Sequence, residues 1–187
     1  MSSATQVAAT LDDLYRVEGK AELIGGRIVH LMASGDLPGT VAEEIFVSLR
    51  LHARSTGQGF AHADGVGYAV PELASGRESF SPDAAYCAGP RPANRMRFVE
   101  GAPTFAVEVR SENDYGPAAE ADMAAMRDDY FQAGTLVVWD VDPLAETVTC
   151  FRAADPTNAG IWRRGDVADA EPAVPGWRMP VDEMFAG

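Results

Sequence analysis

The sequence predicts an α+β fold, a single domain in which a mixed β-sheet is flanked by helices. Three observations carry that expectation. Short apolar runs with a period of two recur along the chain, two stretches near 40–53 and 117–133 have helical spacing, and glycine and proline punctuate the whole length. The 187 residues, 47% of them hydrophobic, suffice for one domain with a real core and are too few for two comfortable ones. The domain is expected to span residues 1–187, with 1–9 flexible.

In chain order, Thr10 followed by LDDLYRV reads as a capped short helix. AELIGGRIVHLM places two apolar runs around Gly25-Gly26, a hairpin signal. From Thr40 to about Ala53, Val41, Ile45, Leu49 and His52 recur at helical spacing, and Gly57 supplies the stop. Residues 60–70 read as a glycine-containing strand or strand pair, and SPDAAYC begins another strand. GPRPANRMRFVEGAP reads as a long loop, and TFAVEVR as the next strand. Pro117 and Gly134 bracket a helix. LVVWDVDP is the most apolar strand and is expected at the centre, with ETVTCFRA as its hairpin partner. IWRRG and PGWRMPVDEMF suggest short closing segments.

Composition excludes several classes. No apolar run approaches the roughly 20 residues of a membrane helix, and MSSATQVAATLDD lacks the features of a secretory signal. Cys87 and Cys150 are too few for a disulfide framework or a usual zinc site, so a reducing, cytoplasmic setting is expected. The formal charge is −13, arginines are scattered, and Lys20 is the only lysine. A DNA-binding surface draws most of its affinity from phosphate neutralisation, so DNA binding, if present, is expected to be weak without metal ions or a partner. His30, His52 and His62 lack ligand spacing, and Asp140 and Asp142 read as strand-end and turn residues.

Two carboxylates stand out. Asp83 follows Pro82 at the start of a strand, and Glu108 lies within FAVEVR, where Phe105, Val107 and Val109 share one face and Ala106, Glu108 and Arg110 the other. Side chains facing the same way on neighbouring strands lie about 5 Å apart. Two carboxylates so placed repel unless a cation or a proton sits between them, and hard oxygen ligands suit Mg²⁺ or Mn²⁺. Pro82-Asp83, a gap, then Glu108-Val109-Arg110 resembles the PD-(D/E)XK signature of restriction-endonuclease-like nucleases, with arginine where lysine is usual. The bland alternative for Glu108 is a solvated sheet face paired with Arg110.

AELIGGRIV, PDAAYC, FAVEVRSEN, DYFQAGTLVVWDVDP and PGWRMPVDEMF, in that order from about Leu11 to Phe185, resemble the Uma-two family of bacterial restriction-endonuclease-like proteins. The resemblance implies a metal-dependent nuclease hydrolysing DNA phosphodiesters. Asp83 and Glu108 would be the metal-binding pair, with Glu22 near the site. A helix would carry an aspartate, a lysine and a tyrosine at positions matching Asp122, Met126 and Tyr130. The lysine slot therefore holds methionine, which neither donates a hydrogen bond nor carries charge.

Three substitutes are conceivable. Arg110 holds its proton too tightly for base chemistry but can clamp a phosphate. Arg127, next to the slot, is rotated about 100° around the helix. Lys20 shares a strand face with Glu22 if the strand extends that far. The alternative function is a catalytically impaired nuclease fold acting as a binding or regulatory module. Homodimerisation, to act on both strands, is compatible with either reading.

Overall fold

The computed structural model describes residues 8–186. Its elements are α1 (Leu11–Leu14), the hairpin β1 (Ala21–Ile24) and β2 (Arg27–His30), α2 (Asp36–Thr56), β3 (Phe60–Ala63), β4 (Tyr68–Ala69), β5 (Ser79–Phe80), β6 (Ala84–Cys87), β7 (Val99–Glu100), β8 (Phe105–Val109), α3 (Pro117–Gln132), β9 (Val137–Asp142), β10 (Thr147–Arg152), β11 (Asp155–Arg163), β12 (Val167–Asp169), β13 (Arg178–Pro180) and α4 (Val181–Met184). Among the described residues no helix is long and apolar enough to cross a membrane. The flexibility expected for residues 1–9 falls, for 1–7, outside the described residues; Ala9 donates its N–H to the Gly26 carbonyl at 2.8 Å.

Local sequence accounts for most of these boundaries. Thr10 and Asp13 close a reciprocal capping box on α1. Gly25 and Gly26, at φ of 57° and 65°, turn the β1–β2 hairpin as only residues tolerant of the left-handed region do readily. The helix expected from Thr40 begins at Asp36, because Pro38 falls within its first turn, where no intrahelical N–H is needed. Gly57, at φ 67°, ends it.

The central sheet has the order β11-β10-β9-β8-β6-β3. Within this sheet only β8 and β9 pair in parallel, and α3 is the crossover joining them. One face of β8 and β9 (Phe105, Val107, Val109, Val137, Trp139, Val141) packs with Val41, Ile45 and Leu49 of α2 and with Trp177 and Met184. The Phe105 and Trp139 rings meet edge to face at 5.1 Å. The other face carries Ala106 and Val138, which cluster with Tyr130 of α3 and Phe80. Two helices thus cover the sheet, one per face.

Two strand boundaries were not legible. IWRRG was expected as a short closing segment, yet its first residues end β11, which begins at Asp155; as the sheet's edge strand, β11 tolerates Pro156. The long loop expected over 89–103 contains β7, paired in parallel with β4 in a small sheet completed by β5.

Candidate active site

The residues before β6 and the end of β8 bring the two carboxylates together. The Asp83 N–H donates to the Val107 carbonyl at 3.0 Å, continuing the antiparallel β6–β8 ladder by one residue. Asp83 Oδ2 accepts the Val109 N–H at 2.8 Å, so its carboxylate is fixed to the strand residue that follows Glu108. Glu108 Oε1 accepts the Tyr130 hydroxyl at 2.6 Å from α3. Among the described residues Glu108 Oε2 receives no hydrogen bond, and no fully buried side-chain polar atom is left unpaired. That oxygen is therefore not sealed in.

The hairpin delivers the remaining parts. Leu23 N–H donates to Ser79 Oγ, and Glu78 N–H to the Leu23 carbonyl, both at 2.8 Å, which binds β1 to the segment leading into Pro82-Asp83. Leu31 N–H donates to the Lys20 carbonyl at 2.9 Å, so the hairpin ladder does continue to Lys20. Lys20 Nζ lies 3.2 Å from Asp83 Oδ1 and 2.6 Å from Asp64 Oδ1. Glu22, on the same side of the strand, is buried; it accepts the Ser81 N–H at 2.8 Å and a hydrogen bond from Arg77 Nη1. Arg77 Nε reaches Asp129 Oδ2 at 3.0 Å, tying the hairpin to α3.

The electrostatics follow from this crowding. Burial, then the adjacent Asp83 charge and that of Glu22, pushes the Glu108 carboxyl well above its usual range; the Tyr130 hydrogen bond and Lys20 oppose the shift. Burial also raises Asp83, against the opposing pull of Lys20 and the Val109 N–H. For Lys20 burial acts downward, but Asp83, Asp64 and Glu108 outweigh it and raise the ammonium's pKa. Lys20 is thus a persistent cation and donor.

The other expected residues fall elsewhere. Arg110 shares the Glu108 face, but its guanidinium forks onto Asp140 (2.8 and 2.7 Å) and Glu120 (2.5 and 3.2 Å). Those four bonds occupy the group that was expected to clamp phosphate. Asp140 is not a strand-end residue: it is buried within β9, directly across from Glu108 in the parallel register. Asp142 does serve the turn, accepting the Leu144 and Ala145 N–H groups. Asp122 is exposed on α3. Met126 lines, with Glu108, Met123 and Tyr130, a space of about 10 Å³ under α3, too small for more than a single water. Arg127 packs on the Phe151 ring, 3.7 Å from its centroid, and lines the same space.

Sequence reasoning missed Arg77, Asp64 and Asp129. Arg77 stands alone in a Ser-Gly turn segment and Asp129 in a run of helix acids, so neither carried a spacing that a strand or helix pattern could single out.

The pair's chemistry suits a hard divalent cation. No group of three or more His, Cys, Asp or Glu side chains among the described residues could hold a metal. Two carboxylates fit Mg²⁺, which keeps several waters and is commonly bound through one or two carboxylates plus substrate phosphate. The upward shift of both the Glu108 and the Asp83 carboxyls is what a cation between them would relieve.

Comparison with known proteins bears on the family and the fold. A model of the Uma2 family, described as "Putative restriction endonuclease", matches residues 8–182. Among solved structures the chain is similar to the crystal structure of "a putative nuclease belonging to DUF820 from Anabaena variabilis ATCC 29413". The TM-score is 0.71 at 16% identity, covering 95% of this chain and 97% of that one, a likeness of fold. No curated protein matches the chain.

Proposed function

The chain belongs to the Uma2 family, and from that premise we propose that it is a metal-dependent nuclease hydrolysing DNA phosphodiesters, in which Lys20 does the work of the lysine missing at position 126. The observation that carries the reading is the Lys20 ammonium 3.2 Å from Asp83, on the carboxylate pair that would hold Mg²⁺ or Mn²⁺. When bound, such an ion supplies an activated water and Lewis-acid stabilisation of charge on a phosphoryl oxygen.

The chain's own residues do the rest. Asp83 and Glu108 are the metal ligands, the first held by the Val109 N–H and the second oriented by the Tyr130 hydroxyl. Glu22 does not reach the metal in this reading; it anchors the hairpin through Arg77 and the Ser81 N–H, and so positions Lys20 two residues away. Lys20, kept protonated by its neighbours, donates to the attacking water or to a phosphoryl oxygen and offsets the charge that builds there. Arg110 holds Asp140 and Glu120 beside the site and leaves phosphate to Lys20.

A second reading has one observation in its favour. Met126 packs in the small space beside Glu108, and Lys20 is already engaged by Asp64 as well as Asp83. That arrangement suits a nuclease fold retained for binding or regulation. Cleavage of plasmid and single-stranded DNA in Mn²⁺, with native chain and Lys20→Met, separates the two. Cleavage lost in the variant supports the nuclease; no cleavage by the native chain, with metal binding intact, supports the binding module.

A further inference from the structure

A cleft of about 140 Å³ opens beside the carboxylates, and Lys20 and Ser81 line it. Its other walls include Leu14, Tyr15 and Phe98 together with Gly65 and Gly67. The volume is close to the roughly 150 Å³ of an engineered apolar cavity that admits benzene, hence to the size of one planar ring.

The aromatic wall is fixed in place. Tyr15 and Phe98 meet edge to face at 4.9 Å and 74°, and the Phe98 N–H donates to Tyr15 Oη at 3.2 Å. Position 67 must be glycine for that arrangement, since a Cβ there would stand 2.4 Å from the Phe98 ring.

The segment leading to this wall is itself basic, with Arg97 reaching Asp12 at 3.4 Å. From Ala84 to Val99 there is no acidic residue, in a chain with 28 of them, and Arg91, Arg95 and Arg97 are all exposed. Arg97 lies 4.9 Å over the Tyr15 ring. Arg91 lies over Phe60 at 4.7 Å, and both Arg91 and Arg95 act on His62, two residues before the Asp64 that holds Lys20.

We infer that the cleft takes one unpaired DNA base against the Tyr15–Phe98 wall, while Arg91, Arg95 and Arg97 neutralise phosphates of the same strand on its way to Asp83 and Glu108. The inference rests on the nuclease reading and adds the substrate class: single-stranded or frayed DNA, in preference to intact duplex. Three arginines on one short segment match the lower charge density of a single strand, and base–aromatic stacking needs a base out of the duplex.

The test is fluorescence anisotropy of a labelled 12-nucleotide single strand and of its blunt duplex, with native chain in Ca²⁺, alongside KM and kcat for cleavage in Mn²⁺. The single strand is expected to bind at least tenfold tighter than the duplex. Arg91→Ala/Arg95→Ala/Arg97→Ala, all at exposed positions, should weaken binding about tenfold or more and lower the log–log salt slope by about 2, from about 0.7 per phosphate. Phe98→Leu, which keeps a hydrophobic plug, should cost roughly 5- to 150-fold in single-strand affinity, the usual range for one stacked base. In both variants KM rises while kcat holds. Equal affinity for duplex, or cleavage with unchanged KM in both variants, overturns the cleft assignment and leaves the nuclease reading standing. A native chain that neither binds nor cleaves any DNA overturns both.

Discussion

The two faces of β8 and β9 differ in every respect that matters to function. On the α2 side Phe105, Val107, Trp139 and Val141 are fully buried in an apolar cluster with the Trp177 ring, 5.0 Å from that of Trp139. On the α3 side the same two strands present Glu108, Arg110 and Asp140, each held by charged or hydroxyl partners. The apolar face stabilises the fold; the polar face is built at the fold's expense, with carboxylates crowded where water is scarce. A charge pair is tolerated there because the sheet beneath is secured from its other side.

The largest break in that contrast comes from removing a carboxylate. Asp83→Ala removes a proposed metal ligand and the acceptor for the Val109 N–H. Cleavage is expected to fall by three orders of magnitude or more, measured as kcat in saturating Mn²⁺, while circular dichroism still reports a folded chain. On the opposite face, Trp139→Ala is expected to destabilise by about 3–5 kcal/mol in urea titration. The folded fraction should keep its metal affinity, since Trp139 packs on the face of the sheet opposite Glu108. If Trp139→Ala abolished metal binding in folded protein, the two faces would not be separable.

Lys20→Met tests the assignment of the lysine more finely. Loss of one positioned donor typically costs about 10²–10³ in kcat, with Mn²⁺ affinity changed much less. Adding Met126→Lys to that variant is expected to recover part of the rate, because position 126 faces Glu108 from α3. No recovery would mean that the space under α3 is too closed for an ammonium to reach the site.

The smallest expected effect concerns stability and pH. The folded chain keeps the Glu108 proton at pH values where the unfolded chain, near the ordinary carboxylate value of 4.5, has lost it. Folded protein then binds more protons than unfolded, so stability falls as pH rises through the window from 4.5 to the raised value. Glu108→Gln, whose carbonyl can still accept from Tyr130, should stabilise the metal-free protein at pH 8 and do so much less at pH 4. Stabilisation that grew toward low pH instead would contradict the stated cause.

Much of this contrast was legible in the sequence, because period and punctuation are local. Pro117 and Gly134 bounded α3, Gly25-Gly26 set the hairpin, and alternation in FAVEVR put Glu108 on the face opposite Phe105. Asp83 and Glu108 were brought side by side, as strand pairing would have them. What local pattern could not supply was who meets whom across the sheet. Asp140 read as a turn residue because an acid near a strand end commonly is one; only the parallel register with β8 sets it opposite Glu108 and in the fork of Arg110. The hairpin's attachment to residues 76–81 likewise depends on tertiary contacts, and it helps to set the single lysine of the chain on Asp83.

Calorimetric titration of Mn²⁺ into the native chain, Asp83→Ala and Glu108→Ala tests the central claim most directly. The account predicts one saturable site in the native chain, lost in both variants, with affinity rising with pH as the Glu108 proton is displaced. Absence of specific binding to the native chain, or binding indifferent to both substitutions, would contradict it.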